Sequence, residues 1–318
     1  MSNTNVQITA EEPRFSYYCD QWLGLCRQRL KVSTHYKYSG IVNKYLKPEF
    51  GNLPLPELTT QRVDALYAKL IGEYELAPTS AKNVLSVLGA VVKYTARVCP
   101  MYAPRVLIDI PHTKQPEARV LTVDEQKRLI AYLRTDMDTC KFGVLLAMHT
   151  GLRIGELCAL RWKDISLRNR TISVSASLQR IPDTRQESTG RTMLHIGSTK
   201  SSSSKRVIPV SERVMLLIRR AKQNAGECYI LTGTLHCMEP RLLQYHFKVY
   251  TEACGLKNVH FHTLRHTFAT RCVEVGFEVK SLSEILGHSS TKVTLDRYVH
   301  SSMDLKRRNM RRLSNVGL

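Results

Sequence analysis

The chain has 318 residues, enough for two ordinary domains, and 43% of them are hydrophobic, in the range of a globular protein. Runs such as Val144–Met148 and Val87–Val92 are too short to span a bilayer, and the opening MSNTNVQITAEEP lacks the basic stretch and apolar core of a secretion signal. A formal charge of +20 and a pI near 9.7 imply a polyanionic partner, because cations that neutralise phosphates release counterions and gain salt-dependent affinity.

The charge is uneven. Residues 1–112 hold 13 Lys and Arg against 9 Asp and Glu, a net +4, which leaves +16 for residues 113–318. The nine cysteines are scattered without a C-x-x-C pair and read as reduced thiols. His236 beside Cys237 has no second ligand pair at zinc-site spacing, so neither a metal nor a cofactor is expected. These features together predict a cytoplasmic protein with no membrane partner.

The first hundred residues carry four helical patterns. Phe15 to Leu30 places Phe15, Tyr18, Trp22, Leu25 and Cys26 at helical spacing. Ser33 or Thr34 can cap a second helix reaching Leu46, which Lys47-Pro48-Glu49-Phe50-Gly51 is expected to break. Thr60 can cap a third through Leu70, with Val63, Leu66, Tyr67 and Leu70 on one face. Thr79 or Ser80 can start a fourth reaching about Val98, with Val84, Leu88, Val91, Val92 and Thr95 inward. Stripes of this kind are core. Four prolines and little periodicity make 100–119 read as a linker, whose span we set at 104–118.

A capping box, Thr122 with Glu125, reopens helical structure through about Leu133, followed by a second helix from Cys140 to His149. After Trp162-Lys163-Asp164 the period becomes alternating. Thr171–Ser177, Thr192–Ile196 and Arg206–Val210 are predicted as three short strands, and helices resume beyond Ser211.

Three stretches carry chemistry. Thr150-Gly151-Leu152-Arg153-Ile154-Gly155-Glu156-Leu157, His262-Thr263-Leu264-Arg265-His266-Thr267-Phe268-Ala269-Thr270, and Leu286-Gly287-His288-Ser289-Ser290 followed by Thr294-Leu295-Asp296-Arg297-Tyr298 resemble, in order and separation, the conserved boxes of the tyrosine recombinases, the phage and transposon integrases. The ten-residue spacing from His288 to Tyr298 is closer to that of conjugative-transposon integrases than to that of chromosome-dimer resolvases. The resemblance implies an all-α, four-helix, SAM-like core-binding domain over 13–103. It implies a mixed α/β, mainly α, catalytic domain over 119–318 with a small three-stranded sheet.

It also implies roles. Arg153 and Arg265 match the arginines that grip the scissile phosphate, for which planar guanidinium forks are suited. His262 stands three residues before Arg265, on the same helical face, and can accept the phenol proton or bond a phosphate oxygen. His288 matches a third-box residue that bonds a non-bridging oxygen. Glu156 matches a supporting acid that orients His262 or an arginine, beside the plainer reading of a helix ion pair with Arg153. His260 and His266 read as supporting or structural. Lys200 is preferred over Lys205 as the acid for the departing 5′ oxygen, although the serines between them blur the alignment. Tyr298, the one tyrosine after Tyr250, matches the nucleophile. Its phosphotyrosyl ester would conserve the energy of the broken bond without ATP.

The partners so implied are double-stranded DNA, further copies of the chain as a tetramer on synapsed sites, and an excisionase or DNA-bending host protein, in a bacterial nucleoid. The tail 299–318 has Met303, Leu305, Met310 and Leu313 as its apolar residues; it reads as a segment docking on a neighbouring protomer or as a phosphate-binding extension. Many members carry a further N-terminal arm-binding domain; with the first helix predicted at Phe15, that domain is either naturally absent or removed. Rival readings are a type IB topoisomerase-like nicking-closing enzyme and a non-catalytic DNA-binding regulator. A basic RNA-binding module is a third, little supported at 7% aromatic content.

Overall fold

The computed structural model describes residues 14–110, 118–183, 192–198, 205–221, 226–298, 307, 310 and 311. The chain divides into two compact units, Met1–Pro116 and Glu117–Leu318.

In the first unit α1 (Phe15–Arg29) is followed by α2 (Val32–Ile41), a π turn (Val42–Leu46) and α3 (Lys47–Phe50), which run on as one rod. The break expected at Lys47–Gly51 is therefore corrected: the helix passes through Pro48. Proline lacks an N–H and its ring crowds the carbonyl four residues back. The wider π turn just ahead relieves both, and the Lys47 N–H reaches back to the Val42 carbonyl. Next come α4 (Thr60–Gly72), capped by Thr59 rather than Thr60, and α5 (Pro78–Val98), which starts on proline ahead of the expected cap. Phe15, Leu46, Leu66, Leu70, Leu85 and Leu88 form its core. Part of the expected linker belongs to this unit. Val106, Ile108 and Ile110 pack on the core, and the Leu107 N–H donates to the Thr60 hydroxyl at 3.1 Å.

The second unit starts with α6 (Val123–Arg134), whose Thr122–Glu125 capping box forms as expected. Then come α7 (Thr139–Thr150), buried on nearly every side, and α8 (Ile154–Ala159). Five strands follow where three were expected: β1 (Ile165–Ser166), β2 (Thr171–Val174), β3 (Ala176–Pro182), β4 (Thr192–Ser198) and β5 (Arg206–Pro209). They make two antiparallel sheets, β1-β2-β5 and the pair β3-β4. The predicted strand Thr171–Ser177 is two strands, because the chain leaves β5 at Val174 and joins β4 from Ala176. The helices α9 (Glu212–Ala221), α10 (Pro240–Ala253), α11 (Phe261–Glu274), α12 (Val279–Leu286) and α13 (Thr291–Tyr298) complete the unit.

One core, including Leu129, Leu145, Leu157, Ile172, Phe247 and Leu264, joins the helices to the sheet. Lys200 and all but three residues of the tail 299–318 lie outside the described residues; Arg307, Met310 and Arg311 are helical. Among the described residues no helix is long and apolar enough to cross a membrane.

Candidate active site

α11 is fixed before it contributes any chemistry. The Leu121 N–H donates to the Thr267 hydroxyl at 3.0 Å and Arg271 donates to the Leu121 carbonyl at 2.7 Å, tying α11 to the start of α6. Three residues apart on this helix, His262 stands at the open cleft while Arg265 is almost wholly buried.

Helix C-termini aim both arginines. α7 ends on Gly151 and α12 on Gly287, each in the left-handed conformation, with φ of 66° and 65°. The last carbonyls of a helix lack partners within it and form the negative end of its dipole. Arg265 takes two of them, Nη1 donating to the Gly151 carbonyl at 2.9 Å and Nη2 to that of Leu286 at 2.6 Å. Arg153 donates through Nη2 to the Gly287 carbonyl at 3.2 Å and through Nη1 to Glu156 at 2.7 Å. Burial, and Arg153 beside it, push the Arg265 guanidinium down to about 9, still a cation at neutral pH.

Glu156 is 3% exposed and holds three donors besides that one. The Arg153 N–H reaches Oε2 at 3.0 Å, and Arg206 approaches fork to fork, Nη1 to Oε1 at 3.0 Å and Nη2 to Oε2 at 2.9 Å. Burial alone would raise its pKa; the Arg206 hydrogen bonds and charge, then Arg153, outweigh it and hold the carboxyl at about 2. Glu156 thus orients Arg153 and stays ionised. Arg206, read from sequence only as the start of a strand, is part of the site's frame. A buried acid demanding a cation was the one available signal for it.

Arg153, Glu156, His262, Arg265, His288 and Tyr298 all line one cleft of about 670 Å³, together with Arg297. Tyr298 ends α13 and is 5% exposed. Its ring lies parallel to that of His288, 8° between planes and 6.2 Å between centroids. Its hydroxyl sits 2.8 Å from His266 Nδ1. Burial raises the phenol, while the charges of Arg265, Arg297 and Arg153 pull the other way. His288 Nδ1 pairs with the buried Thr294 hydroxyl at 2.8 Å, which leaves Nε2 as its other polar atom. Thr294 was likewise not singled out in the sequence.

The histidines feel the same field. His288 is lowered to about 3, by burial and then by Arg265, Arg153, Arg297 and Arg206. His266 falls to about 4 through burial, then His262, Arg297 and Arg265. His262 also falls to about 4, by the protein around it and by Arg265, Arg153 and Arg297, with Glu156 opposing. All three imidazoles are neutral at pH 7, each with one donor and one acceptor. No group of three or more His, Cys, Asp or Glu among the described residues is placed to hold a metal. The arrangement can surround a tetrahedral anion with guanidinium and imidazole N–H groups and bring a phenol oxygen to it.

Residues 119–304 match the phage integrase family and residues 14–71 match the N-terminal SAM-like domain of phage integrases. The chain belongs to the phage integrase family. It is 28% identical to a XerC-like tyrosine recombinase of Caldanaerobacter subterraneus subsp. tengcongensis, an alignment covering 88% of this chain and 77% of that protein. It is 23% identical to the ICEBs1 integrase of Bacillus subtilis, with the same shares covered. The fold is that of the Tn1549 transposon integrase, solved in complex with a circular intermediate DNA: TM-score 0.75 at 23% identity, covering 93% of this chain and 99% of that one. Integrases and site-specific recombinases of mobile elements are thus its relatives.

Proposed function

We propose that this integrase cuts and rejoins DNA strands itself, with Tyr298 as nucleophile, in the integration and excision of a mobile element. The observation that carries this reading is the convergence of Arg153, Arg265, His262, His288 and Tyr298 on one cleft. A phosphodiester in it would have its non-bridging oxygens met by the two guanidiniums and by His288 Nε2, the kind of preorganised charge that lowers a phosphoryl-transfer barrier. The Tyr298 oxygen attacks phosphorus, the bond to the 5′ oxygen breaks, and Lys200 protonates that oxygen. The product is a 3′-phosphotyrosyl ester, and reversal with a different 5′ hydroxyl exchanges strands.

Because side chains supply the positive charge and the ester conserves the bond energy, neither a divalent metal nor ATP has a role in this scheme. The helical unit, which extends through Ile110, and the catalytic unit would both bind the duplex. Four protomers on two synapsed sites would exchange strands pairwise, the 299–318 tails linking neighbours and an excisionase or DNA-bending protein setting direction.

The test is a nicked suicide substrate built from the DNA flanking the gene. Wild type should accumulate a denaturant-resistant protein–DNA adduct in excess EDTA. Tyr298→Phe should bind the same DNA and form none. An adduct in the Phe variant, or cleavage that requires added magnesium, would overturn the reading.

A further inference from the structure

We propose that His266, rather than His262, is the base that takes the Tyr298 proton when the phenol attacks phosphorus. This deepens the reading of Tyr298 as nucleophile and rests on it.

The geometry separates the two histidines. His266 lies four residues after His262, one turn further along α11, and the rings meet edge to face with centroids 4.6 Å apart. His262 is exposed and lines the cleft, where a phosphate oxygen is its natural partner. His266 is 8% exposed and is not among the residues lining that cleft, so the DNA phosphate is not its natural partner. Its Nδ1 instead stands 2.8 Å from the Tyr298 oxygen, the reach a general base needs. A structural histidine in a core has no need to face the one hydroxyl that must lose a proton.

The step balances. The Tyr298 proton moves to the Nδ1 lone pair, the phenol oxygen bonds to phosphorus, and the 5′ oxygen leaves with a proton from the acid. On rejoining, His266 returns its proton to the phenol oxygen as the phosphotyrosyl bond breaks. The groups facing His266 are His262 and Arg265 from its own helix, and Tyr298 and Arg297 from α13. Burial, and then these neighbours, keep the imidazole neutral and ready to accept before DNA arrives. The phosphate's negative charge then favours the imidazolium that forms.

The experiment follows adduct formation on a suicide half-site from pH 5.5 to 9 for wild type, His266→Asn, His266→Phe, His262→Asn and Tyr298→Phe. Asparagine can place its amide oxygen near Nδ1, so it retains the hydrogen bond to the phenol but not the ability to carry a proton. With half-site affinity near wild type, His266→Phe should slow adduct formation by about 10²–10⁴, the range for losing a positioned base. His266→Asn should recover part of that loss but show no inflection below neutral pH, its rate following hydroxide instead. His262→Asn should be slower yet keep the wild-type inflection. Should His266→Phe not fold, the Asn variant decides. A wild-type rate and inflection in His266→Asn would overturn the proposal, as would an inflection lost in His262→Asn but kept in His266→Asn. An adduct in Tyr298→Phe would instead sink the nucleophile assignment beneath it.

Discussion

Arg206 holds Glu156 fork to fork while its Nε donates to the Ile285 carbonyl at 2.6 Å, so one side chain of β5 ties α8 to the end of α12. Both partners are shut off from water, at 5% and 3% exposure of the side chain. α8 is preceded by Arg153, and α12 by its end supplies the Leu286 and Gly287 carbonyls that hold both arginines. The pair therefore fixes the distance between the two halves of the proposed phosphate grip.

Removing one member of a buried ion pair leaves a charge without its partner and costs about 3–5 kcal/mol. Arg206→Ala and Glu156→Ala should each lose stability in that range by urea denaturation. The chain has two tryptophans, Trp22 in the helical unit and buried Trp162 in the catalytic one. A Trp22→Phe background therefore lets fluorescence report the catalytic unit alone. Arg206→Lys keeps the charge but not the fork and should recover only part of the loss. A change under about 1 kcal/mol, the scale of an exposed pair, would mean the bridge does not hold the site together.

The same pair marks how far the sequence could be read. Three boxes at the right separations located six cleft residues, and the Thr122–Glu125 capping box forms as the spacing predicts. Arg206 was hidden because its partner lies 50 residues away and nothing local announces a buried cation. His266 was passed over because its neighbours in the box have better-known chemistry and its contact with Tyr298 exists only in three dimensions. The split at Ser175 was invisible because Ile172, Val174 and Leu178 keep one alternation while the strand changes partner. In the supposed linker, Val106, Ile108 and Ile110 do alternate, with Leu107 outward at 78% exposure, but the surrounding prolines masked a pattern that short. Pro48 misled in the opposite way, since a π turn lets a helix pass a proline that pattern reading takes as a stop.

Gly287 is a sharper test of geometry than any charged residue. Its φ of +65° disfavours any side chain by about 1–2 kcal/mol, and an added Cβ would meet Arg206 Nη1 at 2.9 Å. Gly287→Ala should therefore disturb the guanidinium on Glu156, the carbonyl on Arg153 and the placement of His288 together. Cleavage of a suicide substrate should fall at least about tenfold, the effect of some 1.4 kcal/mol on a barrier. Gly72→Ala, where a Cβ meets nothing within 4 Å and φ is ordinary, should leave cleavage unchanged. Equal rates in the two variants would remove Gly287 from the argument.

Acid should weaken the DNA-free protein before its carboxylates titrate. His266 and His262 are lowered to about 4 and His288 to about 3, against an ordinary value of 6.5. Between those limits the unfolded chain binds protons that the folded chain refuses, so stability rises with pH across that window. It is full above about 6.5 and lost as pH falls toward 4, with Glu156 adding a further loss from 4.5 to about 2. Exposed His262 should contribute least, because solvent screens its neighbours. Urea midpoints at pH 8, 7, 6 and 5 should be level down to about 6.5 and then decline, less steeply in His266→Phe. A flat profile to pH 5 would show that these imidazoles are not held neutral.

Cleavage also requires an acid for the leaving group. The cleft holds bases and anion-binding groups, yet none of its described side chains is a lysine, and a departing 5′ alkoxide needs a proton. We assign that acid to Lys200, which lies in the sequence between β4 and β5, the strand that carries Arg206 to the site. Lys205 immediately precedes β5 and is exposed. Its neighbour Arg206 is committed to Glu156, and Lys205 itself does not line the cleft. Lys200→Ala should slow cleavage of an ordinary substrate by about 10²–10⁴. On a substrate whose 5′ bridging oxygen is sulfur, which leaves as a thiolate without protonation, it should cleave at close to the wild-type rate. Lys205→Ala should show a smaller loss, by weaker phosphate attraction, and equal rate ratios on the two substrates. Sulfur rescue of Lys205→Ala but not of Lys200→Ala would transfer the acid to Lys205 and overturn the assignment.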